Sequence, residues 1–316
     1  MSPNIVGVRK AADLIAHLVP PTPLLEIEIG EAVVFAKAES LQPTGAFKLR
    51  GAWHRLSAMS QQERGGGVVA FSSGNHALGI AWAAKRLGIA ATIIMPADAP
   101  APKLAGTRAL GAEVILYDRA TQSREAIATA LALERGATLV PSFDDPWIVE
   151  GQGSAGIEAV QQLANRGLPP PDRIVTCCGG GGLAAGLSIA CPDAEIVVVE
   201  PEGWDDMTRS LACGEIVPVI DNPPPTACDA LQTYRVAPLT FGILKARGAT
   251  GVAVTETETE NAIRFAFAKL RLVLEPGGAV ALAALLSGKV EPRDNTVVIL
   301  SGGNIDAGQF SAIIAR

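Results

Sequence analysis

Aromatic side chains are scarce in this sequence, only 4% of 316 residues, and there are just 3 histidines and 5 cysteines. The cysteines (Cys177, Cys178, Cys191, Cys213, Cys228) have no C-x-x-C spacing and no nearby histidine pair, which argues against a structural zinc site. They read as reduced thiols of a cytoplasmic protein, with the vicinal Cys177-Cys178 packed in a buried strand. No apolar run approaches the roughly 18 residues of a membrane span, and the N-terminal stretch lacks the apolar segment of a secretory signal. A formal net charge of -6, with no basic patch carrying interleaved aromatics, sets nucleic acid and anionic membrane aside as partners. Neither a fixed-period repeat nor a low-complexity segment is present.

What is present is a large apolar fraction, 48%, and 33 glycines that cluster. From 67 to 143 short apolar strands alternate with helices: strand 68–71, helix 75–87, strand 91–95, helix 102–110, strand 113–116, helix 123–135, strand 138–140. Each helix stops at a glycine (Gly88, Gly111, Gly136) suited to the left-handed C-terminal position. After 144 a second such series begins: helix 147–166, strand 173–177, helix 183–190, strand 196–199, an irregular stretch 213–227, strand 251–254, helices 257–270 and 277–286, strand 296–300 and a C-terminal helix. Before both lie helix 8–18, a Pro-rich stretch 20–24, strand 33–37 and helix 46–58. Alternation of this kind predicts an α/β protein with mostly parallel twisted sheets covered by helices. The expected division is a large domain of 1–66 with 144–316, and a small domain, 67–143, inserted into it.

Lys48 is the oddest residue. It follows the turn signal Pro43-Thr44-Gly45 and falls in the first turn of a helix, where the dipole disfavours a cation. Desolvation beside Phe47 and Leu49 would lower its pKa and make it a nucleophile towards carbonyls. The bland reading is a snorkelling surface lysine. Three strand-to-helix junctions accompany it. Ser72-Ser73-Gly74-Asn75-His76 offers hydroxyls and N–H groups at a helix N-terminus, either as an ordinary cap or as an anion site. Gly179-Gly180-Gly181-Gly182 carries more glycines than a turn needs and suits a phosphate wrapped by backbone N–H groups. Neither a dinucleotide fingerprint nor a Walker lysine accompanies it. Ser301-Gly302-Gly303-Asn304 closes the set. All three lie at carboxyl ends of strands, where open α/β sheets bind ligands.

Together with Glu275-Pro276-Gly277-Gly278-Ala279, these segments resemble those of the fold-type II (tryptophan synthase β-like) pyridoxal-phosphate (PLP) enzymes. Within that class they are similar to the threonine and serine dehydratases, serine racemase and 3-hydroxyaspartate dehydratase. The resemblance implies a two-lobed protein with its active site in the cleft between lobes. It implies that Lys48 carries PLP as a Schiff base beside Phe47, and that Gly179, Gly180, Gly181 and Gly182 bind the phosphate. Asn75 would meet the ring hydroxyl and Ser301 the pyridine nitrogen, with Glu275 among the cofactor contacts. Ser72, Ser73, Asn75 and His76 would line the substrate carboxylate site, and Arg124 matches a substrate-side arginine of serine racemase, unless it is a plain surface arginine. Glu200, the Trp204 carbonyl and Asp206 match a cation site whose oxygen ligands suit magnesium or calcium; the bland alternative is a solvated acidic loop.

The implied reaction is β-elimination from a β-hydroxy amino acid, L-threonine or L-serine, giving a 2-oxo acid and ammonia, with Lys48 as α-proton base. Ser301, a hydroxyl in place of a carboxylate, implies a milder electron sink suited to elimination. Two alternatives stay open: a 3-hydroxyaspartate dehydratase, which Arg124 would favour by pairing a second carboxylate, and a serine racemase using Ser73 opposite Lys48. Ala46, Leu78 and Gly277-Gly278 depart from the common pattern and leave the substrate undecided. No regulatory extension follows the Ser301 loop, so a catabolic type is expected, and a homodimer is the family's habit. Outside the enzymes, a phosphate-ligand binding module remains the alternative.

Overall fold

The computed structural model describes residues 2–316. Ten strands form two sheets: β1 (Leu24–Ile29), β2 (Ala32–Lys37), β3 (Val68–Phe71), β4 (Ala91–Pro96), β5 (Glu113–Tyr117), β6 (Thr138–Leu139), β7 (Arg173–Cys177), β8 (Glu195–Pro201), β9 (Thr250–Val254) and β10 (Thr296–Ile299). The larger sheet has the order β1-β2-β10-β7-β8-β9 and the smaller β5-β4-β3-β6. Every pairing is parallel except β1 with β2. Central strands such as β7 and β10 are buried at every residue, as expected of parallel strands covered on both faces. The edge strand β1 instead alternates, with Ile27 and Ile29 inward and Glu26 and Glu28 in solvent. That alternation is legible in Leu-Glu-Ile-Glu-Ile, although the prolines before it mask it.

The predicted helices form with shifts of one to three residues at most ends, and Gly88 and Gly136 close theirs in the left-handed conformation. The last helix turns of 257–270 differ: the α-helix ends at Phe265 and a π-helical turn, Ala266–Leu270, completes it. Three helices were not anticipated, Gln61–Gly66, Asp206–Cys213 and Pro238–Ala246.

Helix Lys48–Ser57 packs on two sides. Leu49, Ala52 and Leu56 share one apolar cluster with Ile80, Trp82, Ile93 and Met95 beside the smaller sheet. Its other side meets helix Pro146–Ala164, where a Cβ on Gly151 would sit 2.5 Å from the Gly51 Cα, so only small residues permit that approach. Electrostatics fix it from behind. Arg50, fully buried, forks onto Glu39 at 2.7 and 2.8 Å and onto Glu158 at 2.7 Å. Burial alone would push the Glu39 carboxyl up; the Arg50 guanidinium more than reverses this and holds it at about 2. Lys37 adds a 2.8 Å contact to Glu158. Removing one partner leaves buried carboxylates without a countercharge, which costs about 3–5 kcal/mol. Arg50→Met is therefore expected to lower unfolding free energy by about that amount in urea denaturation at neutral pH. Because the Glu39 pKa is depressed on folding, the wild type holds its Glu39 contribution above the ordinary carboxylate range and loses it as pH falls towards about 2.

Candidate active site

Lys48 opens its helix with Phe47 at the cap position and Nζ 5.1 Å from the Phe47 ring centroid. Nζ donates to the Ser142 carbonyl at 3.2 Å, and no carboxylate pairs with it among the described residues. Burial lowers the Lys48 pKa to about 8, with the Cys177 thiol acting in the opposite direction. A substantial neutral fraction at physiological pH makes this amine a nucleophile.

The Ser301 loop is sewn to the loop that delivers Lys48. Phe47 N–H donates to Ser301 C=O at 3.1 Å, Gly303 N–H to Gly45 C=O at 2.8 Å, and Asn304 Nδ2 to Thr44 C=O at 2.8 Å. Ser301 is buried, and its Oγ accepts from the Cys177 thiol at 3.2 Å. Across from it, Asn75 begins helix Asn75–Leu87. Its Nδ2 donates to Glu275 Oε1, and its Oδ1 accepts from Asn304 Nδ2 at 2.9 Å. An amide nitrogen carries two hydrogens, so one N–H of Asn75 stays free for a ligand.

The glycine run leaves β7 and enters helix Gly182–Ala190, with Gly181 left-handed at φ +83°. The N–H groups of Gly179, Gly180 and Gly182 donate to no protein group among the described residues. A Cβ on Gly180 would lie 2.1 Å from the Phe143 ring, and one on Gly181 would lie 2.7 Å from Met207 Cε. Side chains are therefore excluded here by packing as well as by the need for exposed N–H donors. One pocket is lined by Lys48, Ser72, Ser73, Asn75, His76, Arg124, Gly179 to Gly182, Glu275 and Ser301.

The model of the family described as "Pyridoxal-phosphate dependent enzyme" matches residues 15–302. The chain belongs to the pyridoxal-phosphate dependent enzymes. It is 40% identical over 317 residues to an L-threo-3-hydroxyaspartate ammonia-lyase of Pseudomonas sp, covering 97% of both chains. It is 36% identical over 330 residues to a serine racemase of Schizosaccharomyces pombe, covering 100% of both. Among solved structures it is similar to a threonine deaminase of T.th., with 40% identity, a TM-score of 0.88 and coverage of 96% of this chain and 99% of that one.

The geometry fits PLP. The depressed amine suits its aldehyde, and the unpaired N–H groups at a helix N-terminus suit its phosphate. The spare Asn75 N–H suits its ring oxygen and the Ser301 hydroxyl its ring nitrogen. His76 is different from a charged substrate anchor. Its Nε2 meets the Val140 carbonyl at 3.1 Å, and burial, then the Lys48 charge, lower its pKa to about 3. The ring stays neutral, which leaves hydroxyls and helix N–H groups as the donors of that loop. Ser72 Oγ accepts the Gly74 N–H at 3.1 Å. Arg124 is half-buried in the pocket wall, 5.4 Å from the Phe71 ring centroid and paired with Glu125 at 2.8 Å.

Glu200, near the end of β8, and Asp206, the first residue of helix Asp206–Cys213, are both fully buried. Burial raises Glu200 to about 8, and the neighbouring Asp206 adds to this; burial raises Asp206 to about 7. Glu200 accepts the Thr208 N–H and hydroxyl, each at 2.7 Å, whereas the Asp206 oxygens make no well-formed hydrogen bond, the Val236 and Asp206 N–H groups near them only opposing the rise. Orphaned buried carboxylate oxygens fit a hard cation, although no cluster of three or more His, Cys, Asp or Glu side chains forms there among the described residues.

Three pocket features went unread in the sequence, Ser142 with Phe143, Cys177 beside Ser301 and Asp229 of the turn Asp229–Leu231, and so did Lys103, which does not line the pocket but pairs with its Asp229 and Glu275. Lys103 carried a signal, being a lysine in the first turn of helix Ala101–Ala109, the same anomaly that marks Lys48. The others are brought in by tertiary contact and have no local pattern. The depressed amine sets a pH dependence. The rate at which apoprotein captures PLP, followed by absorbance in rapid mixing, is expected to rise with pH and level off above about 8, and Lys48→Ala is expected to abolish the protein-bound absorbance band.

Proposed function

We propose that this enzyme carries out β-elimination on a β-hydroxy amino acid, L-threonine or L-serine, releasing a 2-oxo acid and ammonia. The observation that carries the reading is the buried amine of Lys48, depressed to about 8, set against a serine at the ring-nitrogen position. PLP, when bound, supplies an electron sink for the α-carbon. The residues supply the rest. Lys48 holds the cofactor and, once released, takes the α-proton; a pKa near the working pH favours both uses. Gly179 to Gly182 would hold the phosphate, Phe47 would pack beside the ring, Asn75 and Glu275 would hold the ring-hydroxyl edge, and Ser301 would partner the ring nitrogen. Ser72, Ser73, Asn75 and the helix start at His76 orient the substrate carboxylate. Ser301, itself accepting from Cys177 at 3.2 Å, is a neutral partner that does not stabilise a pyridinium as a carboxylate would. Residues 67–143 form the inserted domain, and the enzyme acts as a cytoplasmic homodimer, in keeping with buried free thiols at four of its five cysteines.

Arg124 favours a second reading, a 3-hydroxyaspartate dehydratase. A half-buried guanidinium in the pocket wall suits a second substrate carboxylate. The Pseudomonas relative acts, by its name, on L-threo-3-hydroxyaspartate. A racemase side activity would use Ser73, which lines the same pocket. At the cation site, Glu200, Asp206 and the Trp204 carbonyl would hold magnesium or calcium, whose charge would oppose the burial that raises both carboxyls and favour their ionised forms.

The holoenzyme is expected to form a 2-oxo acid from L-threonine, L-serine or 3-hydroxyaspartate, and Lys48→Ala to lower turnover at least about 10²-fold. No 2-oxo acid from any of them rejects the elimination reading, and D-serine formed from L-serine in its place selects the racemase. Arg124→Leu is expected to lower kcat/KM for 3-hydroxyaspartate by about 10- to 100-fold while leaving threonine within about threefold; equal losses reject the dicarboxylate role. Magnesium or calcium is expected to raise the thermal midpoint of the wild type and not of Asp206→Asn, and an EDTA-insensitive wild-type midpoint rejects the cation site.

A further inference from the structure

Lys103 stands on helix 101–109, which packs beside the smaller sheet, yet its ammonium reaches groups that belong to the larger one. Nζ donates to Asp229 at 2.8 Å and to Glu275 Oε2 at 3.2 Å, and the residue is only 4% exposed. Its stem lies against the Ser72–Asn75 loop: a Cβ on Gly74 would sit 2.6 Å from Lys103 Cδ. Glu275 uses its other oxygen, Oε1, to accept from Asn75 Nδ2. Asn75 Oδ1 in turn accepts from Asn304 Nδ2, whose direction is fixed by the Thr44 carbonyl at 2.8 Å. The chain of donors and acceptors therefore runs from Lys103 through Glu275, Asn75 and Asn304 to the loop that delivers Lys48. Turning the Asn75 amide over would set one NH₂ against another.

We propose that Lys103 is a positioning residue of the active site, holding Glu275 as a carboxylate and so fixing the Asn75 amide that meets the ring hydroxyl of PLP. The charged groups facing Glu275 are Lys103 and Asp229, and the thiols of Cys177 and Cys228, both pushed up by burial, stay neutral nearby. Burial keeps the Glu275 carboxyl above its ordinary value even with Lys103, the cation that opposes this, beside it, and removing Lys103 would raise it further. Without it, Glu275 takes up a proton as pH falls, and a neutral acid is a weaker acceptor for Asn75 than a carboxylate. The ion pair also ties helix 101–109 to the helix that Glu275 caps, Pro276–Leu286.

The inference rests on Asn75 as the ring-hydroxyl partner, so Asn75→Ala is measured beside it. The readout is the dissociation constant of PLP, followed by its bound absorbance, for wild type, Lys103→Met and Lys103→Arg from about pH 6 to about pH 9. Relative to wild type, Lys103→Met is expected to bind PLP about tenfold more weakly at the acid end, with the deficit shrinking as pH rises. Lys103→Arg is expected to stay within about threefold throughout. A Lys103→Met deficit that is absent, or equal at every pH, overturns the proposal. Should Lys103→Met fail to fold, Glu275→Gln decides: weaker binding across the whole range supports the proposal, and wild-type affinity overturns it. If Asn75→Ala binds PLP like wild type, the ring-hydroxyl assignment itself fails, and the Lys103 proposal falls with it for that separate reason.

Discussion

The hydrogen bond from Phe47 N–H to Ser301 C=O, 3.1 Å long, sets the geometry on which the rest of the site depends. It joins the residue before Lys48 to Ser301, so amine and hydroxyl are held apart by a fixed span of backbone. Side-chain rotamers alone would leave that span loose. The neighbouring contacts, Gly303 to Gly45, Asn304 to Thr44 and Ser40 to Leu300, repeat the seam on either side. The cost of ordering a glycine-rich loop is large. For the Ser301–Asn304 loop it is offset by hydrogen bonds to the loop that precedes Lys48.

Charge is distributed unevenly around this seam, and the unevenness is what makes one lysine reactive. Arg50 has Glu39 and Glu158, Lys37 has Glu158, and Lys103 has Asp229 and Glu275. Lys48 has only a carbonyl, at Ser142. Desolvation acts on all four and lowers Lys37 as well, against the pull of Glu39 and Glu158; Lys48 meets it without a carboxylate within reach, and its pKa falls to about 8. The paired cations serve as the rigid frame. Arg50, two residues beyond Lys48, anchors the helix that aims the amine, so stability and reactivity are separated over a single helical turn.

Much of this was legible from residue order. The α/β alternation, the glycine run, the Ser-Gly-Asn junction and the helix-start lysine are local patterns, and backbone geometry turns them into parallel strands and ligand-facing loops. The resemblance to a known family rests on the same residues. What could not be read locally was contact between distant segments. Phe143 presses on Gly180, and Cys177 donates to Ser301; neither has a periodicity or spacing that announces it. The short helices 206–213 and 238–246 were missed because weak local signals are decided by packing on the sheet. His76 shows the converse: a histidine in a motif suggests a polar contact, yet burial and a nearby cation leave its ring neutral and turned to Val140.

The two halves of the pocket follow different physical rules, which explains why chemistry is clearer than substrate. The cofactor half is built from backbone N–H groups, glycines and seam contacts, where a side chain added at Gly180 or Gly181 meets a neighbour at 2.1 or 2.7 Å. The substrate half takes side chains from Arg124, Phe143 and the 229–233 segment, which reach the pocket from loops and a helix start. Of these, Arg124 does not touch the glycine run and can change without disturbing it, whereas Phe143 packs on Gly180 and Gly182 and the 229–233 segment on Gly179. A family can therefore keep one electron-sink chemistry while its members exchange a methyl-bearing substrate for a dicarboxylate. Under the dicarboxylate proposal, Glu125, 2.8 Å from Arg124, competes with the second carboxylate of the substrate. A solvent-facing pair of that kind contributes little. On that proposal, a ligand carboxylate brought into the less hydrated pocket would compete with it on favourable terms, and pairing with Glu125 would not bar Arg124 from reading charge.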